Sequence, residues 1–269
     1  MTGRNTSRKK RGRAVDLTAT NRRLRAEIAE RRQAEALRDE FLSVAAHELK
    51  TPLTSLRGFA QLLMRQLDRD ESPDPVRLRQ ALSAIDQQSA KLARLVNHLL
   101  DVSRIEAGRL VLDRKVADVV GLVDDVVATA RVNTFRHEFT VRAPSGALAL
   151  VDPLRLEQVI RNLVDNAIKY SPDGGPIGIE VDKSREAGVV RVTVSDHGLG
   201  VAPAHRSLIF ERFHQAHSER AFSGMGLGLY ISRQIVELHG GRLEAEFPDE
   251  GGTRMIVTLP TGGPGGRSA

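Results

Sequence analysis

Two stretches in the first half of the chain repeat apolar residues at the intervals of an amphipathic helix. In the first stretch the apolar residues recur every three or four positions: Leu42, Ala45, Leu49, Leu53, Leu56, Ala60, Leu63 and Leu67. In the second they recur every seven positions: Leu78, Ile85, Leu92 and Leu99. The turn-rich segment DRDESPDP separates the two stretches, and Gly108 ends the second. The pattern predicts two helices joined as a hairpin. Because two hairpins cover their apolar seams better than one, we expect a homodimer built on a four-helix bundle.

From Leu110 onward the pattern changes to short alternating runs between amphipathic helices. The predicted strands cover residues 110–116, 138–143, 147–151, 177–181, 189–195, 242–247 and 253–259. The predicted helices cover residues 119–131, 153–170 and 226–238, with Asp118 and Asp152 as N-caps of the first two. A loop-rich segment, residues 196–223, precedes the last helix. The predicted fold class is therefore α+β and multidomain: a helical hairpin, then mainly antiparallel strands with helices on one face.

The predicted domains are residues 41–108 for the hairpin and residues 109–262 for the α+β part. Residues 14–40 are charged and rich in helix formers with near-heptad apolar spacing, which predicts a coiled-coil-like lead-in. Residues 1–13 contain six basic and no acidic side chains and are predicted to be a disordered tail. Residues 263–269 are predicted to be a flexible tail.

The composition narrows the possible classes of protein. The absence of cysteine excludes disulfides, thiol catalysis and thiolate metal sites. No apolar run approaches the roughly 20 residues that a membrane span needs, so we expect a cytoplasmic protein. The net charge of +6 is concentrated in the N-terminal tail, where a nucleic acid or an anionic membrane surface could bind. Since no aromatic residue interleaves with this tail, we expect it to be solvated instead.

His47, within the motif HELKTP, is the first candidate for chemistry. It lies two positions from Ala45 and from Leu49, about 200° around the helix, so its imidazole points away from the apolar stripe. Glu48 is adjacent, Thr51 follows one turn later, and Pro52 interrupts the helical hydrogen bonds. An exposed imidazole beside a carboxylate suits a nucleophile that another domain reaches. The alternative is a solvated His–Glu pair on an ordinary helix.

The second domain contains a helical face and a loop with the residue types of a nucleotide site. Asn162, Asn166 and Lys169 share one face of the predicted helix, and Tyr170 flanks it. Carboxamide oxygens are ligands suited to Mg²⁺ that is shared with phosphates. In the segment SDHGLG, Asp196 leaves a strand where its carboxylate can accept a hydrogen bond from an exocyclic amine.

Glycines mark the remaining two parts of this candidate site. Gly198 and Gly200 follow Asp196 and permit close approach of the backbone to a ligand. Gly224, Gly226 and Gly228 alternate where a helix begins, and the free amides of a helix N-terminus can cradle a phosphate. The spacing matches neither a P-loop nor a Rossmann fingerprint.

Five segments in order resemble the H, N, G1, F and G2 boxes of the sensor histidine kinases of two-component signalling. They are HELKTP, NLVDNAIKY, DHGLG, IFERF and GMGLGL, within residues 41–260. The resemblance implies a dimerisation and phosphoacceptor hairpin. An α/β-sandwich ATP-binding domain of the type found in gyrase, Hsp90 and MutL is implied to follow. It also implies ATP and Mg²⁺ as the bound groups.

By this resemblance His47 is the phosphoacceptor, Glu48 its acid/base partner, and Thr51 a residue that orients water for phosphatase activity. Asn166 is implied to ligate Mg²⁺, with Asn162 assisting. The other implied nucleotide contacts are Lys169 for phosphate, Tyr170 and Asp196 for adenine, Gly198 and Gly200 beside Asp196, and Gly224, Gly226 and Gly228 in the lid.

The expected function is an ATP-dependent protein-histidine kinase that phosphorylates His47 and passes the phosphoryl group to an aspartate of a separate response regulator. Phosphatase activity toward that regulator and an upstream sensor protein are also expected. The alternatives are a non-catalytic signalling scaffold or pseudokinase, and additional binding through the basic tail. His197 and Met225 depart from the usual boxes, which predicts altered affinity.

Four further histidines are not assigned to the reaction. His205, His214 and His217 fall in the lid without supporting carboxylates or thiolates, so we do not expect a metal site there. His98 is expected to be structural.

Overall fold

The computed structural model describes residues 25, 27, 28, 32, 42–66, 74–184, 188–217 and 224–262. The predicted tails, residues 1–13 and 263–269, and most of the lead-in, residues 14–40, lie outside the described residues. In the described part of the chain, no helix combines the length and the apolar character needed to cross a bilayer.

The first half forms the two predicted helices. Helix α1 covers residues 42–66 and helix α2 covers Pro75–Glu106. Asp74 caps α2, because its side chain accepts a hydrogen bond from the Val76 amide at 3.0 Å. Just after the end of α2, Gly108 adopts a φ of 62°, in the left-handed region that glycine tolerates best.

The hairpin buries few of its apolar side chains within one copy of the chain. Its buried apolar residues are Ala45, Pro52, Ala81, Leu95 and Val102. Large apolar side chains stay exposed along both helices: Leu42, Leu53, Phe59, Leu62, Met64, Val76, Leu82, Val96 and Leu100. The described hairpin therefore keeps an open apolar surface, whose burial would be favourable.

The segment after Gly108 differs from the prediction. The strand predicted for residues 110–116 is wrong for most of its length, because strand β1 covers only Lys115–Asp118. Side-chain hydrogen bonds hold the preceding residues as an anchored linker: the Asp113 amide donates to Asp152 Oδ2 at 2.9 Å, and Arg114 donates to the Leu238 carbonyl. β1 pairs antiparallel with β3, Leu148–Val151.

The remaining strands form one five-stranded sheet in the order β2-β4-β5-β7-β6. These strands are β2 (His137–Arg142), β4 (Gly175–Ser184), β5 (Val189–Asp196), β6 (Arg242–Glu246) and β7 (Thr253–Pro260). The β2–β4 pair is parallel and the other pairs are antiparallel. The helices are α3 (Val119–Asn133), α4 (Pro153–Lys169) and α5 (Gly228–Leu238). The predicted fold class, a helical hairpin followed by a mixed α/β domain, is confirmed.

Alternating strand residues and the inner faces of the three helices share one core. Ile177 and Ile179 of β4, Val192 of β5, and Leu156 and Ile160 of α4 are all buried in it. Asp118 caps α3 and Asp152 caps α4 through hydrogen bonds to the Val120 and Arg155 amides, as predicted. This packing brings the C-terminal end of α4, the C-terminal end of β5 and the N-terminal end of α5 to one edge of the domain.

Candidate nucleotide and phosphoacceptor site

His47 lies on the outer surface of α1, with 81% of its side chain exposed. Glu48 is mostly covered, and its Oε1 lies 3.8 Å from His47 Nδ1. Thr51 donates from its hydroxyl to the His47 carbonyl at 3.3 Å. Helix α1 continues through Pro52 without a break. With Nδ1 turned toward Glu48, the Nε2 edge of the imidazole faces away from the carboxylate.

The α4 face joins the start of α5. Asn162 Nδ2 donates to Ser232 Oγ at 3.0 Å, and Ser232 is buried on α5. This bond turns Asn162 Oδ1 toward Gly228, where a Cβ would lie 2.2 Å from that oxygen. Gly228 is therefore required by close packing, because any larger residue would displace the amide. No side chain of the described residues caps the start of α5, so this N-terminus can serve an anion.

Lys169 and Tyr170 lie at the end of α4. Lys169 Nζ is 3.1 Å from the Tyr170 hydroxyl and 4.7 Å from the centre of its ring. It also lies beside Gly224 of the glycine-rich segment. A cation at this position can meet a phosphate without a large movement.

Asp196 ends β5 and accepts two backbone hydrogen bonds on Oδ1, from Gly198 at 2.9 Å and from Thr253 at 3.2 Å. Burial raises the pKa of this carboxyl, while those two amides and His197 act in the opposite direction. Because both bonds use Oδ1, Oδ2 remains for a donor in the neighbouring cavity. Gly198 lies against the end of α4, since a Cβ there would be 2.0 Å from the Tyr170 carbonyl oxygen.

Two adjoining cavities bring most of the predicted nucleotide contacts together. A cleft of about 890 Å³ is lined by Asn162, Asn166, Lys169, Tyr170, Gly224, Gly226 and Gly228, and by α2 across from them. A smaller cavity of about 70 Å³ is lined by Asp196, Gly200, Asn166 and Tyr170. Asn166 and Tyr170 border both spaces, so the two adjoin each other. His47, Glu48 and Thr51 line neither space, and Gly198 supports Asp196 from outside both.

Sequence reasoning missed several contributors to this site. Thr253 is brought beside Asp196 by the register of β5 and β7, and Met255 of β7 lines the smaller cavity. Ser232 lies one helical turn after Gly228, which is a weak indication that it belongs to the site. Nothing in the sequence pairs it with Asn162.

Polar contacts between α2 and the α+β domain were also missed. Buried Asp101 accepts hydrogen bonds from Arg155 Nη1 and Gln158 Nε2, each at 2.8 Å. Arg212 of the IFERF segment pairs with Glu106 at the end of α2. These contacts make α2 the facing wall of the cleft.

The histidines of the lid segment are held by one another and by the G1 segment. His205 Nδ1 lies 3.2 Å from His214 Nε2, and His217 Nε2 donates to the Gly200 carbonyl at 2.9 Å. Among the described residues no group of three or more His, Cys, Asp or Glu side chains is placed to hold a metal ion.

Comparison with known proteins agrees with this geometry. Residues 37–108 match the His Kinase A phospho-acceptor domain, and residues 151–263 match the family of histidine kinase-, DNA gyrase B- and HSP90-like ATPases. The second match indicates ATP as the nucleotide.

Two curated relatives align with nearly the whole chain. The signal transduction histidine-protein kinase/phosphatase MprB of Mycolicibacterium paratuberculosis is 36% identical over 241 residues, which are 87% of this chain and 44% of the relative. The sensor histidine kinase WalK of Bacillus subtilis is 28% identical over 238 residues, 87% of this chain and 38% of the relative. The chain thus spans less than half the length of these relatives.

A solved structure supports the same assignment. Full-length ShkA in complex with AMPPNP superposes with a TM-score of 0.58 at 26% identity, over 84% of this chain and 46% of ShkA. With an exposed histidine on a helical hairpin, a nucleotide cavity assembled from the N, G1 and G2 segments, and both family matches in the same order, the chain belongs to the sensor histidine kinases.

Proposed function

We propose that this chain is an ATP-dependent protein-histidine kinase that phosphorylates its own His47 and then passes the phosphoryl group to an aspartate of a separate response regulator. The observation that carries the proposal is the pairing, within one chain, of an exposed imidazole with two adjoining cavities that Asp196, Asn166 and Lys169 line. Phosphoryl transfer depends mainly on positioning and charge stabilisation, which these two features supply.

The smaller cavity fits the adenine end of ATP. Asp196 Oδ2 accepts a hydrogen bond from the exocyclic amine of adenine. Tyr170 and the apolar side chains that line the cavity contact the adenine ring. Gly200 allows the base to approach the backbone. The larger cleft takes the phosphates, which meet Lys169 and the uncapped start of α5 near Gly226 and Gly228.

The residues present also fit a magnesium ion. Asn166 borders both cavities, between the spaces proposed for the base and for the phosphates, with Asn162 one turn away. A single neutral protein ligand suits Mg²⁺, which keeps waters and shares phosphate oxygens. When bound, the ion would neutralise charge on the phosphates.

At the acceptor, His47 Nε2 attacks the γ-phosphorus while the bond from that phosphorus to the β–γ bridging oxygen breaks, and ADP leaves. The resulting phosphoimidazole keeps its proton on Nδ1, which faces Glu48. Glu48 can stabilise or accept that proton. Because His47 borders neither cavity, we propose that the α+β domain moves relative to the hairpin, with Gly108 and its φ of 62° as the hinge.

The hairpin supports two further proposals, one on assembly and one on phosphatase activity. Its exposed apolar side chains fit a second copy of the chain, so we propose a homodimer with a four-helix bundle. Thr51, bonded to the His47 carbonyl on the same exposed turn, is proposed to orient water when the phosphorylated regulator is hydrolysed.

The decisive experiment is incubation with γ-labelled ATP and Mg²⁺, followed by acid and base treatment and then by addition of receiver domains. We expect acid-labile, base-stable label in the wild type and label at background in His47→Gln. ATP affinity should stay within about twofold in that variant, because the nucleotide cavities do not include His47. His137→Gln, a histidine on β2 outside both cavities, serves as the matched control and should label normally. Label retained in His47→Gln would exclude this acceptor, and a wild type that binds no ATP would exclude the kinase.

A further inference from the structure

Two histidines of the lid face each other although they come from separate segments. His205 closes the short 3₁₀ turn Pro203–His205 that follows the G1 segment. His214 comes directly after Phe213, whose φ is 63°. The 3.2 Å between His205 Nδ1 and His214 Nε2 is a hydrogen-bond distance, and the ring centres are 5.1 Å apart. One ring nitrogen donates and the other accepts.

His214 is placed where its position matters for a nucleotide. It lines the large cleft with Lys169 and the small cavity with Asp196. Its neighbour Phe213 donates from the backbone amide to the Gly226 carbonyl at 3.2 Å, so the same segment is tied to the glycine-rich turn. A contact that holds the His214 ring in place therefore also holds part of the wall of both cavities in place.

The bond between the rings exists only while at least one of them is neutral, because two imidazolium rings offer donors and no acceptor. The other titratable groups near the pair are Glu211 on the same segment and Lys169, Asp196 and His217 around the cavities. Burial lowers the pKa of His214, a charge on His205 lowers it further, and Glu211 acts in the opposite direction. Binding of a second proton to the pair is therefore less favourable than binding of the first, and it occurs only as the pH falls.

We propose that His205 is a positioning residue that holds His214 against the nucleotide cavity, and that a second proton on this pair opens the wall and weakens nucleotide binding at acid pH. The proposal rests on the proposed function, because it assigns the cavity to a nucleotide. It gives a role to two histidines that the kinase reaction does not use.

The test is the affinity for ADP, measured by calorimetry without added metal from about pH 7.5 to about pH 5.5. His205→Gln keeps a side chain that can bond to His214 but cannot become charged. We expect its affinity to match the wild type within about twofold at the upper pH and to exceed it several-fold at the lower pH, where only the wild type can carry a charge on both rings. His205→Leu, which loses the bond at every pH, should bind more weakly at the upper pH and show the same flattened profile. His137→Gln should keep the wild-type profile.

Parallel pH profiles for wild type and His205→Gln would overturn the proposal. Protonation of the nucleotide itself affects all proteins equally, so the difference between profiles isolates the pair. A wild type that fails to bind ADP at the upper pH would contradict the proposed function instead.

A second measurement needs no substitution. In NMR spectra of the wild type, the hydrogen bond between the His205 and His214 rings should be present at the upper pH and absent at the lower pH. A bond that persists at the lower pH would also overturn the proposal, even if a variant failed to fold.

Discussion

The helical hairpin and the α+β domain use their apolar residues in opposite ways. Among the described hairpin residues, only Ala45, Pro52, Ala81, Leu95 and Val102 are buried apolar side chains, and Leu95 and Val102 pack into the core of the α+β domain, which continues from β2 to β7. One histidine from each region shows the same contrast. His47 has 81% of its side chain exposed on the hairpin, and His239 is 1% exposed in the domain. The hairpin therefore keeps apolar side chains and a histidine at its surface, while the domain buries them.

The largest expected effect belongs to the domain alone. Asp196→Ala should weaken ATP binding by about 2–4 kcal/mol, because it removes a partly buried carboxylate that accepts a charge-assisted hydrogen bond from the base. Calorimetric titration with ATP measures the loss. The matched control is Asp182→Ala, an exposed carboxylate on β4, which should change affinity by less than about 0.5 kcal/mol. Equal affinity in Asp196→Ala and wild type would remove Asp196 from the adenine site.

The next prediction concerns the contact that joins the two regions. Asp101 lies on α2 but makes its bonds to Arg155 and Gln158 of α4, each at 2.8 Å. Asp101→Ala should lower the free energy of unfolding by about 2 kcal/mol, below the cost for a fully buried pair because the Arg155 side chain is 22% exposed. Urea unfolding of the full chain measures the loss.

A double-mutant cycle with Arg155→Ala separates this pair from general effects of substitution on α2. We expect a coupling energy of about 1–2 kcal/mol between Asp101 and Arg155. Asp86→Ala, an exposed acid on the same helix, should cost less than about 0.5 kcal/mol. Additive effects of the two substitutions would mean that the ion pair does not join α2 to the domain in solution.

The sequence predicted best those features that depend on neighbouring residues. The heptad of Leu78, Ile85, Leu92 and Leu99 predicted α2, and Asp118 and Asp152 are the N-caps of their helices. The strand predicted for residues 110–116 failed because local alternation cannot distinguish a strand from a linker held by Asp152 and the Leu238 carbonyl.

Contacts between distant segments were beyond the reach of local patterns. Thr253 reaches Asp196 through strand register, and Asp101 reaches Arg155 through the packing of α2 on α4. The sequence places His205 and His214 in the lid, but their spacing does not predict that their rings are in contact. The residues around Asp196 and Asn166 could be predicted because each of these functional groups lies within a short sequence motif. The side chains that hold those groups come from other elements.

The smallest expected effect sharpens the contrast between the two histidines. His239 Nδ1 donates to the Ile235 carbonyl at 2.8 Å, and Nε2 accepts from the Asp152 amide at 2.9 Å, so the ring must be neutral. Burial lowers the pKa of His239, with Arg114 acting in the same direction and the Ile235 carbonyl and Asp152 opposing. The unfolded chain therefore binds the proton more readily than the folded one. The stabilisation is complete above the ordinary histidine pKa of 6.5 and is lost as the pH falls toward the lowered folded value.

We expect the free energy of unfolding of the wild type to fall by about 1 kcal/mol more than that of His239→Gln between neutral pH and about pH 5, because only the wild type must place a proton on a buried acceptor. Urea unfolding at a series of pH values gives the difference. His47→Gln is the control from the hairpin, and its pH profile should parallel the wild type, because both hydrogen bonds of His239 are intact in that variant. A His239→Gln profile parallel to the wild type would mean that folding does not disfavour the proton on His239, and the two histidines would then differ in exposure without differing in their contribution to stability.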